Sequence, residues 1–109
     1  MLETGNHFLS LIMIHVSQTE LILPVPVFIL EDDAIMQQRL KRILLEIGYA
    51  EDALILAQTL SQAIDMLKQY PISFSLVDLG LPDGNGIDFI ENLRQTDEVS
   101  PVFVISAWS

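Results

Sequence analysis

Four apolar runs of strand length punctuate this sequence: VPVFIL at 25–30, ALILAQ at 53–58, FSLV at 74–77 and PVFVIS at 101–106. The segments between them are long enough for the helical crossovers that join parallel strands, and they carry helical periodicity. Met36, Leu40, Ile43, Leu44 and Ile47 form one apolar stripe, which Gly48 closes as a C-terminal cap. Thr59-Leu60-Ser61-Gln62 has the form of a capping box, and Leu60, Ala63, Ile64 and Leu67 continue that helix toward Pro71. Ile87, Phe89, Ile90 and Leu93 mark a third helix ending near Arg94. The runs are almost continuously apolar, as strands covered by helices on both faces are. Pro24 and Pro26 stand at the entry of the first run, where a proline disturbs a sheet least. The expectation is an α/β fold, a doubly wound parallel sheet with right-handed crossovers.

Charge and composition narrow the function. Five basic residues face fifteen acidic ones, for a net charge of −10 in 109 residues. Such a chain lacks the Lys and Arg needed for direct phosphate contacts, so neither nucleic acid nor an anionic membrane is an expected partner. A cation or a basic protein surface fits better. With no cysteine, disulfides, thiol nucleophiles and thiolate-bound metals are excluded. Both histidines, His7 and His15, lie near the N-terminus, far in sequence from the acidic clusters. Residues 1–24 read as an N-terminal extension to a domain at 25–109. Its apolar run HFLSLIMIHV has no positive leader for a secretory signal and falls short of a membrane span. An appended strand or short helix, or a start codon upstream of the true domain, explains it, and a cytoplasmic chain is expected.

In doubly wound sheets, ligands sit outside the carboxyl ends of the strands, where the winding reverses. The first strand delivers Glu31, Asp32 and Asp33 to that edge, the third delivers Asp78, and the fourth delivers Ser106 and Ala107. Several carboxylates cannot all stay ionised together without compensation. Oxygen-only ligands without His or Cys point to Mg2+ as the compensating cation. A carboxylate beside such an ion is a competent nucleophile toward a phosphoryl group, and Asp78 is the candidate. Ser106 is a candidate hydroxyl to hydrogen-bond the product. Gly80, without a side chain, lets its backbone carbonyl approach the metal.

Three segments, VFILEDD, FSLVDLGLPDGNGIDFI and PVFVISA, resemble the receiver domains of two-component response regulators in order and spacing, over about 80 of the 109 residues. The resemblance implies a flavodoxin-like receiver topology, incomplete at its C-terminal side. It implies that Asp78 is the phosphoacceptor, receiving its phosphoryl group from a histidine kinase or phosphotransfer protein. It makes Asp32 a direct Mg2+ ligand, Glu31 a ligand through water, Gly80 a backbone-carbonyl ligand and Ser106 the switch hydroxyl. Ala107 becomes the small residue beside it, and Asp33 a helix N-terminal residue. The LGLPDGNGIDFIENLR run looks most like regulators with a C-terminal helix-turn-helix output domain, which implies transcription regulation.

In the family a further helix, a fifth strand carrying a lysine, and a last helix follow the fourth strand. Of the basic residues here, Arg39, Lys41 and Arg42 fall on the first helix and Lys68 and Arg94 on later ones, so none is placed to replace that lysine. The expectation is a fragment of a longer regulator. Its fourth strand would present an open edge, to which FLSLIMIHV or a second copy of the chain could add a strand as a homo-oligomer. Two other readings stay open. One is a degenerate receiver that acts only through protein–protein contacts. The other is an aspartate-nucleophile phosphatase, against which stands Gly80 at the position where such enzymes carry a second aspartate.

Overall fold

The computed structural model of the chain describes residues 23–105. Strand β1 (Val27–Leu30) leads into helix α1 (Ala34–Ile47), and a short 3-10 turn at Glu51–Ala53 precedes β2 (Leu54–Ala57). Helix α2 (Leu60–Leu67) and strand β3 (Phe74–Asp78) follow. Two short strands, β4 (Gly80–Leu81) and β5 (Gly84–Asn85), come next, then helix α3 (Gly86–Thr96) and strand β6 (Val102–Ile105). The four longer strands form one sheet in the order β2-β1-β3-β6, every pair parallel. The winding reverses between β1 and β3, the point at which such a sheet opens a crevice at its carboxyl edge.

Both faces of the sheet are packed, and β1 shows why its sequence is continuously apolar. Phe28 and Leu30 point into a core with Val77, Leu60, Ala63, Phe89 and Leu93, on the side covered by α2 and α3. Val27 and Ile29 point the other way, toward Leu44 of α1, Tyr49 and Leu54. The Phe28 and Phe89 rings stack with centroids 4.9 Å apart, tying α3 to the sheet centre.

Helix ends follow local chemistry. Asp33 caps α1, its Oδ1 accepting from the backbone N–H groups of Ile35 (2.9 Å) and Met36 (3.1 Å). Gly48 closes the helix at φ 127°, a left-handed conformation that glycine adopts without a Cβ penalty. At α2 the expected capping box forms with one difference. Thr59 Oγ1 accepts from Gln62 N–H (3.1 Å), but Gln62 Oε1 accepts from Gln58 N–H (2.9 Å), one residue earlier than the usual reciprocal bond.

Two expectations needed correction in detail. Pro82, Asp83 and Gly84 after Asp78 are turn residues in type and would read as a plain bend, whereas Gly80 and Leu81 pair antiparallel with Asn85 and Gly84 as a small hairpin. The α1 stripe reads as wholly apolar, yet one of its two buried residues is Gln37. At the other side of the sheet, β6 is an edge strand among the described residues, with Phe103 55% exposed. Phe103 meets Phe74 edge-on at 5.9 Å, so part of its ring is nonetheless supported. The N-terminal run expected to cover that edge lies outside the described residues. No helix among the described residues is long and apolar enough to cross a membrane.

One core position carries a cost. Ser75, the second residue of β3, is fully buried, and its Oγ finds no hydrogen-bond partner among the described residues. A buried hydroxyl without a partner loses its hydration for nothing in return. Ser75→Ala is therefore expected to raise stability by about 1 kcal/mol, read as a higher urea midpoint at unchanged slope.

Candidate metal and phosphoryl site

The carboxyl edge of the sheet gathers three acids. Glu31 follows the last residue of β1, Asp32 comes next, and Asp78 ends β3. Leu30 and Val77 are register partners, so the residues that follow them emerge side by side. Each of the three offers a carboxylate oxygen, and these oxygens lie within 4.8 Å of one another. Their exposures differ: Glu31 is 1% exposed and Asp78 8%, while Asp32 is open to solvent. The inner pair is held by the sheet and the outer acid faces the approach.

The neighbours set the electrostatics. Glu31 Oε2 accepts from Asp33 N–H at 3.2 Å, and Asp78 Oδ1 accepts from Gly80 N–H at a long 3.3 Å. The salt bridges among the described residues are Lys41–Glu51 and Lys68–Asp65, and neither reaches the cluster. Burial, aided by the adjoining Asp78, pushes the Glu31 carboxyl up from 4.5 to about 7. Three clustered carboxylates without a cationic partner, offering oxygen ligands only, are a donor set suited to a hard divalent cation.

That raised value has a sign that can be tested in metal-free protein. Glu31 binds its proton more tightly folded than unfolded, so its contribution to stability is full below pH 4.5 and is lost as pH rises through about 7. In chelator, the stability of the wild-type chain is expected to fall by ~3 kcal/mol across that window. Glu31→Gln should flatten the fall, measured as urea midpoints at a series of pH values.

The remaining expected residues are placed as follows. Gly80 lies on the hairpin strand directly after Asp78, exposed, and a Cβ built on it meets nothing within 4 Å. The protein itself therefore imposes no steric demand for glycine there. That demand falls on Gly86, at the start of α3, where a Cβ would overlap the backbone carbonyl oxygen of Asp78 and come within 2.8 Å of Val77 Cγ1. Ser106 and Ala107 lie outside the described residues; Ile105, which precedes them, is the register partner of Asp78. Asp33 serves as the α1 cap, as expected.

Two supporting residues escape a reading of the sequence. Gln37 is buried beneath the cluster, and its Nε2 donates to the carbonyls of Glu31 (3.2 Å) and Ala57 (3.0 Å). It thereby ties the carboxyl ends of β1 and β2 to α1. The available signal was its spacing, since Gln37 falls one turn before Leu40 and two before Leu44 on the buried stripe. Asp83, at the tip of the hairpin, accepts from the backbone N–H groups of Leu60 (2.7 Å) and Ser61 (2.9 Å). It reads in sequence as an ordinary turn residue, and no local pattern announces a partner more than twenty positions away.

Comparisons with known proteins agree with this geometry. Residues 27–109 match the family described as the response regulator receiver domain. Over 81 residues the chain is 35% identical to the virulence transcriptional regulatory protein PhoP of Salmonella typhimurium. It is 33% identical, also over 81 residues, to the transcriptional regulatory protein BasR of Escherichia coli strain K12. Each match covers 74% of this chain and 35% of the relative, so the chain spans about a third of the length of these curated relatives. Among solved structures, the MaeR response regulator bound to beryllium trifluoride superposes with a TM-score of 0.66 at 35% identity, covering 76% of this chain and 67% of that one. The non-phosphorylated HemR receiver domain of Leptospira biflexa gives a TM-score of 0.66 at 28% identity, covering 74% and 63%.

Proposed function

This chain belongs to the response regulator receiver family, and from that premise we propose that it accepts a phosphoryl group on Asp78 from a histidine kinase or phosphotransfer protein. The observation that carries the reading is the packing of Glu31, Asp32 and Asp78 around one point at the carboxyl edge, beside the winding reversal. A carboxylate oxygen of Asp78 attacks phosphorus. The bond from phosphorus to the donor's imidazole nitrogen breaks, and its electron pair leaves with the imidazole. The product is an acyl phosphate on Asp78.

Glu31, Asp32 and Asp78, with the backbone carbonyl of Gly80, would hold Mg2+. When bound, that ion supplies positive charge that offsets the cluster and the transferring oxygens. The rigid end of β3 fixes the nucleophile, while Gln37 steadies the backbone at Glu31. We assign Ser106 as the hydroxyl that donates to the new phosphoryl group and so registers its presence. Receiver domains of this family are not independent enzymes, because the group that takes up the phosphoryl is the protein's own side chain and not a separate substrate. In the complete regulator the phosphorylated form would switch an output activity, transcription in the manner named for PhoP and BasR, and act in the cytoplasm.

The test is uptake of one phosphoryl group from a small acyl phosphate in the presence of Mg2+, read by intact mass. Uptake without Mg2+, or none with it, defeats the reading. The latter outcome favours a domain that works through protein contacts alone.

A further inference from the structure

We infer that Asp83 is a positioning residue for the Asp78 site, a clamp that locks the β4–β5 hairpin onto the first turn of α2 and thereby fixes the backbone at Gly80. The inference rests on the reading above, in which the Gly80 carbonyl turns to the metal. Little else in the structure holds that carbonyl in place. Gly80 has no side chain to pack, is exposed, and gives its own N–H to Asp78 across 3.3 Å. Its hairpin has only two residue pairs, Gly80 with Asn85 and Leu81 with Gly84, and a hairpin that short does not hold its shape alone.

The hairpin is instead pinned at both ends. At its base, Gly86 N–H donates to the Leu79 carbonyl at 2.9 Å. At its tip, the two carboxylate oxygens of Asp83 take one N–H each from Leu60 and Ser61. These bonds hold the Asp83 carboxyl below its ordinary range, and the negative charge suits a helix N-terminus. Leu60 also crowds the tip, since a Cβ built on Gly84 would come within 2.7 Å of Leu60 Cδ2.

The first turn of α2 shows that this is a long-range bond and not a local cap. Thr59 already satisfies Gln62 N–H with its own Oγ1. The N–H groups of Leu60 and Ser61 are left over, and residue 83 takes both. Removing Asp83 therefore opens two donors on α2 and at the same time frees the strand that carries Gly80.

Mg2+ binding by the full chain, followed calorimetrically, separates a positioning role from a merely structural one. Asp83→Ala is expected to weaken Mg2+ binding by about tenfold, the low end of what losing an outer-shell partner costs a metal site. Asp83→Asn keeps one acceptor oxygen and should fall between it and wild type. Thr59→Ala removes the other cap of the same helix without touching the hairpin, and should lower the melting temperature while leaving Mg2+ affinity unchanged. Wild-type affinity in Asp83→Ala, or an equal loss in Thr59→Ala, overturns the clamp. If Asp83→Ala does not fold, unchanged affinity in Asp83→Asn overturns it equally. A wild-type chain that binds no Mg2+ defeats the metal reading itself, whereas tight binding by wild type and variants alike defeats the clamp alone.

Discussion

Incubated with Mg2+ and a small acyl phosphate, the wild-type chain is expected to gain one phosphoryl group, and Asp78→Asn to remain more than about 100-fold below it in uptake. The substitution removes the nucleophilic oxygen pair while keeping the shape of the side chain, so a loss through unfolding is not anticipated. Its effect on the neighbours runs the other way. Asp78 is one of the groups that raise the Glu31 carboxyl value, and making residue 78 neutral relieves a like-charge pair at the buried edge. Metal-free Asp78→Asn should therefore be at least as stable as wild type near neutral pH. An adduct that persists in Asp78→Asn would move the phosphoacceptor to another side chain, and loss of both uptake and folding would leave Asp78 as a structural residue.

The second large effect lies at a residue with no reactive group. Gly86→Ala should destabilise the chain by about 3 kcal/mol, the upper end of overpacking costs, because the added methyl meets backbone and not a movable side chain. Its obstacles are the carbonyl oxygen and carbon of Asp78 itself and Val77 Cγ1. Relief requires α3 to retreat from β3 or the end of β3 to shift, and either movement displaces the phosphoacceptor. A domain of this size has only ~5–15 kcal/mol of stability to lose. Gly80→Ala is the control. A Cβ there meets nothing within 4 Å, so its stability should stay within about 0.5 kcal/mol of wild type. Denaturation midpoints of the two variants, side by side, decide the matter. Equal and small effects would mean that α3 can slide on the sheet without consequence.

That contrast between two glycines shows where a sequence reading stops. The acids at the ends of the apolar runs could be assigned to one sheet edge because parallel strands joined by crossovers all deliver their carboxyl ends to the same side. Glu31, Asp32, Asp33 and Asp78 are legible at that edge for this reason, and it is the family resemblance that sets Asp33 apart as a helix N-terminal residue, the place it takes as the α1 cap. Gly80 reads in the sequence as the residue whose bare backbone lets a carbonyl approach the metal. The structure adds a second glycine, Gly86, which no sequence signal singles out and which packs against the Asp78 backbone because α3 crosses the end of β3 there. A crossing point depends on how two elements pack, and no spacing within either element encodes it. Gln37 and Asp83 escaped for a related reason. Each satisfies backbone groups on another element, Gln37 at Ala57 and Asp83 at Leu60 and Ser61, so no local pattern names the partner, although the spacing of Gln37 puts it on the buried stripe.

The sequence by itself determined the succession of the four long strands and the helices between them, and the sheet edge at which Glu31, Asp32, Asp33 and Asp78 gather. These follow from periodicity and chain direction, which are properties of each segment alone. Only the tertiary structure decided that Gly86 packs against the backbone of Asp78, how deeply each acid is buried, and how the loop beyond Asp78 is tied to a helix far back in the chain. Those outcomes arise where separate elements meet, and there hydrogen bonds and van der Waals exclusion act between residues that sequence distance keeps apart.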